Sequence, residues 1–252
     1  MGVVLLGGCG AKESPDASTS QPTELLLYCG AGLRPVADEL IRAFESTHKV
    51  KIAADYAGSE VLLAKMRLVR KGDLYMPGDE YYVEQAVQEN LILSRTHACY
   101  FVPTILVQTG NPKDIHSLHD LMRPGLKIGF GDPRACAVGR VTRKILDKNR
   151  IAWPDIEKNV AFQSLTVNEL GLQIQARALD AVIVWDAIAK YYQDSGVEVA
   201  IPAPSNVIST VDIGVLSFSR NRSLAEQFAR FAASTQGRAI FAKHHYTIEL
   251  PN

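Results

Sequence analysis

This sequence of 252 residues has no excess of either charge: 27 lysines and arginines are offset by 27 aspartates and glutamates. Its basic residues are also unclustered. That argues against broad nucleic-acid binding, because neutralising a phosphate backbone needs a positively charged face. Long hydrophobic runs are missing too. No stretch approaches the roughly 18 apolar residues of a membrane span, so no transmembrane helix is expected. Cysteine is scarce, at positions 9, 29, 99 and 136 only, and the spacing fits no zinc motif. Histidines come as His116 and His119, three apart, and as the neighbours His244 and His245. Neither pair has a third ligand nearby, so no metal site is expected. What remains, 47% hydrophobic and 21% charged residues, is ordinary for a globular protein of one large or two small domains.

The start, MGVVLLGGCG, is a short apolar run ending in Leu6-Gly7-Gly8-Cys9. It resembles a bacterial lipobox, in which the cysteine is lipidated and becomes the first mature residue, although the basic segment that usually opens an export signal is missing. The following AKESPDASTSQPTE is small and polar with nothing to bury, and reads as a flexible tether. Residues 1–23 are therefore assigned to a signal remnant and tether. They imply a lipid anchor on the periplasmic or extracellular face of a bacterial membrane. With Cys9 lipidated, three cysteines remain, and at least one thiol stays free.

From residue 24 the periodicity alternates between strand and helix. Residues 24–29 read as a buried strand. PVADELIRAF follows, with Pro35 suited to a first helical turn and Val36, Leu40 and Phe44 on one face. VKIAADYAG reads as a strand, SEVLLAKMRLVRKG as a helix with Leu62, Met66 and Val69 aligned, and DLYM as a third strand. The pattern restarts with LKIGFGD, VGRVTRKIL, VAFQSLT, a helix carrying Leu170 and Ile174, and the buried strand LDAVIVW. The extended runs YFVPTILVQT and STVDIGVLSFS sit where the chain would cross between two halves. Ser223-Leu-Ala-Glu226 reads as a capping box opening a helix that returns to the first half. The expected architecture is α/β with two lobes, each a mainly parallel sheet flanked by helices, joined by two extended crossovers. Lobe 1 is residues 24–101 plus 212–252 and lobe 2 is 102–211.

Ligands in such sheets sit at the carboxyl ends of the strands. Four helices are expected to start there: near Gly32–Pro35, at Ser59, near Val138–Gly139, and at Thr166, where Thr166-Val-Asn-Glu169 reads as a second capping box. Each helix start presents unpaired N–H groups and about half a positive charge, so four together make an anion site without a lysine or arginine. YCGAGLRP, residues 28–35, is then a strand-to-helix turn whose glycines let backbone N–H groups face a ligand. It has neither the lysine of a nucleotide P-loop nor the central serine of a hydrolase elbow.

The order and spacing of several blocks resemble the molybdate/tungstate-binding proteins of bacterial ABC importers. YCGAGL is similar to that family's FAAASL, YAGSEVLLAKM to FGGSSALAQQI, GDPRACAVGR to GDPEHAPYGR, and LDAVIVWDA to ADAGIVYASDA. The ending QGRAIFAKHHYTI is also similar, while GDLYMPGDEYY departs from ADVFASAD. The resemblance implies a type II periplasmic binding fold, a membrane permease as partner and a monomeric, non-enzymatic binding protein without cofactor. It also implies a small oxyanion held in the cleft. Carried over residue by residue, the family's first serine falls on Gly32, where only the backbone N–H remains, and its second on Ser59. The backbone contacts fall on Val138 and Val167, and the tyrosine on Trp185, whose indole can donate but not accept a hydrogen bond.

Other readings of the residues stay open. Ser59 serves equally as an N-cap, and Trp185 as core at a strand end. Arg34, at a helix start, is unfavourable against the dipole unless a ligand charge offsets it. Asp79, Glu80 and Asp186 read as surface carboxylates or caps; with Tyr75 and Tyr81 they would instead hold a metal cation or a cationic solute. Cys29 and Cys136 read as small buried residues or, on the same scaffold, as an enzyme's nucleophile, though no histidine lies in the cleft blocks to act as its base.

Overall fold

Leu25, Leu27, Tyr28 and Cys29 are all buried, so the first strand has core on both faces, as a central parallel strand should. The computed structural model describes residues 23–250 and Gly2; Cys9 and the tether lie outside the described residues. In chain order the first elements are β1 (Thr23–Gly30), α1 (Arg34–Glu45), β2 (Val50–Ala57), α2 (Ser59–Val69), β3 (Leu74–Met76), α3 (Glu80–Gln88) and β4 (Ile92–Phe101). Then come β5 (Pro103–Gln108), β6 (Ile128–Gly131), α4 (Ala137–Lys148), α5 (Trp153–Glu157), β7 (Val160–Ser164), α6 (Val167–Gln175), β8 (Ala181–Trp185), α7 (Asp186–Tyr191) and β9 (Gly196–Ala200). The chain closes with β10 (Ser209–Leu216), α8 (Arg222–Ala233) and α9 (Thr235–Lys243).

The strands form two five-stranded sheets, ordered β2-β1-β3-β10-β4 and β7-β6-β8-β5-β9. In each, one strand runs against the other four: β10 in the first and β5 in the second. These are the two strands that enter a sheet directly from the other lobe. The expected two-lobed α/β architecture is the observed one. The first crossing is a single residue, Val102, between β4 and β5. β10 already pairs with β4 at Ser209. We infer that the second crossing is complete by residue 208, ahead of the 211/212 division expected from the sequence.

Amphipathic helices cover the sheets. Val36, Leu40 and Phe44 of α1 are buried, with Pro35 in the first turn. Phe44 meets Phe228 of α8 edge-on at 5.3 Å between ring centroids, which ties the C-terminal helices to the first lobe. Leu62 and Met66 of α2 are buried, but Val69 is exposed because the helix ends there, at Arg70 in the left-handed region (φ 47°). Among the described residues no helix is long and apolar enough to cross a membrane.

Two expected capping boxes do not form. At α6 the Thr166 side chain makes no cap bond; Ser164 intervenes, accepting the Thr166 N–H at 3.1 Å while its hydroxyl meets the Glu169 carboxylate. At α8 the helix starts two residues earlier, after Asn221, and Ser223 lies inside it, accepting from Gln227 at 3.4 Å.

Candidate functional site

The carboxyl ends of β1, β2, β6 and β7 lead into the starts of α1, α2, α4 and α6, and these four starts meet between the lobes. A short 3-10 turn, Ala31–Leu33, precedes α1. The first amides of a helix have no intrahelical acceptor, so each start offers donors to whatever lies beyond it. Gly32, Ser59, Val138, Val167 and Trp185, named from five separate stretches of sequence, all line one cavity there. The cavity is small, about 20 Å³. That is room for one small tetrahedral ion. No charged side chain among the described residues lines it.

Ser59 is the first residue of α2 rather than its cap, which is Gly58. Its Oγ accepts the Gly78 N–H at 3.1 Å, and the Tyr75 hydroxyl donates to its carbonyl at 2.8 Å. With one lone pair taken by an amide, the Ser59 hydroxyl is left to donate its own proton. Trp185 ends β8 and stacks on Phe101, with ring centroids 4.6 Å apart and planes 6° from parallel. Phe101 is the last residue before the crossover, so the aromatic floor of the cavity is bolted to the hinge.

Thr166, expected as the fourth helix start, and several residues not singled out from the sequence also line the cavity. Thr166 borders the cavity with a side chain released from capping. Ala137, Gly58 and Gly78 belong to the lining because their smallness lets backbones approach. The signal for the glycines was present, but a glycine's contact across a cleft is invisible until the lobes are placed.

The lobes are closed. A Cβ on Gly58 would stand 2.5 Å from the Ala135 carbonyl oxygen and 2.7 Å from that of Leu165, both in the other lobe. Across the cleft the Glu60 N–H donates to Ala135 O at 3.3 Å, and Asn168 Nδ2 to Ala31 O at 3.2 Å.

The groups considered for a cation are not at the cavity. Tyr75 is buried beneath Ser59. Asp79 is a buried cap, accepting from Tyr81 N at 2.8 Å, and not a surface carboxylate. Asp186 is likewise engaged, accepting from Thr247 Oγ1 at 2.6 Å and Val102 N at 3.3 Å; it fastens the crossover to the C-terminal segment. Burial raises its carboxyl above the ordinary range, against those bonds. Arg34 lies over the Tyr56 ring, 4.3 Å from its centroid, rather than in the cavity. His116 pairs with Asp114 and His244 with Glu39. Cys29 is fully buried and its thiol pushed well up by desolvation. Cys136 does line the cavity, but burial outweighs the Gly139 and Val138 amides that favour the thiolate and raises it to about 11. Cys99 is also free and buried.

Comparison with known proteins agrees with this geometry. A putative binding protein of Haemophilus influenzae is 28% identical over 222 residues, 88% of this chain and 89% of the relative. A molybdate-binding protein of Mycobacterium tuberculosis is 24% identical over 241 residues, 95% of this chain and 90% of the relative. The solved sulfate-binding protein SubI of the same organism superposes with a TM-score of 0.78 at 18% identity, covering 89% of this chain and 86% of that one, a likeness of fold. The family model of bacterial extracellular solute-binding proteins matches residues 25–247, and the chain belongs to that family.

Proposed function

We propose that the protein is the substrate-binding lipoprotein of an ABC importer and closes over a fully deprotonated tetrahedral oxyanion, molybdate or tungstate, which it delivers to a membrane permease. The observation that carries this reading is a cavity without charged side chains on which four helix starts, the Ser59 hydroxyl and Trp185 converge. Four helix ends of about half a charge each offset a dianion. Micromolar binding needs about −8 kcal/mol. A few charge-assisted hydrogen bonds at roughly 1.5–3 kcal/mol each reach that figure. Binding alone is proposed: the protonated thiol of Cys136 and the lack of a lining histidine leave no base–nucleophile pair for catalysis.

Proton logic favours molybdate and tungstate over phosphate. They carry no proton near neutral pH and suit a site made of donors. Phosphate keeps an O–H that needs an acceptor, and no carboxylate among the described residues lines the cavity. Sulfate meets the same donor criterion, and the likeness to a sulfate-binding structure makes it the second reading. Calorimetry with molybdate, tungstate, sulfate and phosphate decides. Tighter binding of phosphate, or of a cation, defeats the proposal; tighter sulfate binding selects the second reading. Anchoring through Cys9 as a monomer belongs to the same proposal, and Cys9→Ser should release the protein from membranes.

A further inference from the structure

Helix α4 brings a second group across the cleft besides its N-terminal amides. Arg140, one turn in, reaches from lobe 2 to the cap of α3 in lobe 1: Nη2 donates to Asp79 Oδ1 at 3.1 Å. Its guanidinium also lies over the Tyr81 ring, 3.7 Å from the centroid. Asp79 is almost wholly buried and cannot swing, because its Oδ1 caps Tyr81 N and its Oδ2 accepts from Ser209 Oγ at 2.9 Å. Ser209 opens β10, the strand in which the second crossover ends. The partner of Arg140 is therefore a rigid corner of lobe 1, set against the returning crossover.

We propose that Arg140 is a positioning residue for ligand retention: it latches the closed lobes onto the Asp79–Tyr81 corner without touching the ligand. It does not line the cavity. Each of its cross-lobe contacts exists only when the lobes are together, so the latch acts on opening. A contact absent while the ligand first enters changes the dissociation rate and not the association rate. The latch is also incomplete. Arg140 Nε is buried with no partner among the described residues, so closure strips one donor of water and opening restores it. That penalty keeps the closed state from becoming permanent, as a protein that must surrender its cargo requires.

The proposal rests on closed-lobe binding, and its test is chosen to separate the two. Arg140→Met keeps much of the stem over Tyr81 and removes the charge; Asp79→Asn keeps an acceptor for the α3 cap. Stopped-flow kinetics on the full chain should be run with molybdate, tungstate, sulfate and phosphate in turn, so that whichever binds serves as probe. Arg140→Met should speed dissociation by about tenfold to a hundredfold, the range for one charge-assisted bond, with association unchanged within about twofold. The double variant should dissociate no faster than Arg140→Met alone by more than about twofold, because both changes break one contact. Unchanged dissociation, or a loss carried by association, overturns the latch. If none of the four ions binds, the proposed function fails while the latch is still read by scattering from the ligand-free protein. There Arg140→Met must give a larger radius of gyration than wild type, and equal radii overturn it.

Discussion

Replacing Gly58 with alanine should abolish tight binding and leave the fold intact. Gly58 has φ −63° and ψ 146°, a conformation alanine adopts without strain. The open protein therefore loses nothing, and the narrower unfolded ensemble should add up to about 1 kcal/mol of stability. Closed, the new Cβ would stand 2.5 Å from Ala135 O and 2.7 Å from Leu165 O. Both are backbone atoms, so neither can rotate away. An unstrained contact lies near 3.5 Å, so the lobes must part by about 1 Å. A ligand hydrogen bond of about 2.9 Å stretched by that amount is no longer one. If the amides at Val138 and Val167 are both lost to the ligand, the cost is about 3–6 kcal/mol, or roughly 10²–10⁴ in Kd. Gly32→Ala comes closest to Val167 Cγ1, at 2.7 Å, a side-chain end that can move, and should cost less; Gly78→Ala meets Ala137 Cβ at 3.3 Å, a tight but smaller intrusion, and should cost less still. Calorimetry with molybdate measures the affinities, and melting without ligand checks the fold. A Gly58→Ala protein that binds within about threefold of wild type would refute the claim that ligand is held in this closed geometry.

Ser59→Ala and Trp185→Phe should each weaken molybdate binding by about 1–3 kcal/mol in the same calorimetric series, the cost of one donor lost from a buried site; two unaffected variants would remove both side chains from the ligand's reach. Thr166→Val should behave likewise and Thr166→Ser should not, since serine keeps the hydroxyl. Cys136, held at about 11 chiefly by burial, should react slowly with iodoacetamide at neutral pH and about tenfold faster per pH unit up to that value; rapid neutral labelling contradicts this. The Asp186 carboxyl has a folded pKa above its ordinary 3.8, so its stabilising contribution is present below that value and lost as pH rises through the folded pKa. Asp186→Asn removes that loss, and its stability relative to wild type, from urea titrations, should climb as pH rises above the ordinary 3.8; a flat difference shows that burial does not perturb the group.

Much of the fold was legible because its signals are local. The apolar run of β1, the stripe Val36–Leu40–Phe44 and the glycines after β1 and β2 are patterns within a dozen residues, and each marks an element that forms. The capping box at α6 fails through competition that a four-residue pattern does not contain: Ser164, two residues upstream, takes Glu169 from Thr166. Asp79 and Asp186 read as surface carboxylates or caps; Asp79 is a cap, and the further partners that hold the two are remote in sequence. Arg140 lies 61 residues from Asp79, and Thr247 lies 61 residues from Asp186. The latch was illegible for the same reason.

Gly32 shows how the cleft has been rebalanced. The resembled family places a serine there, but in this chain a Cβ would stand 2.7 Å from Val167 Cγ1 and 3.5 Å from Trp185 Cδ1. The Val167 methyl occupies space that a serine side chain needs, while the indole is at ordinary contact distance, so restoring the hydroxyl means moving the valine. Thr166 stands on the other lobe, at the cavity wall, with a hydroxyl its own helix does not use. Beyond the helix starts, lobe 1 lines the cavity with Ser59, and lobe 2 lines it with Trp185 and Thr166.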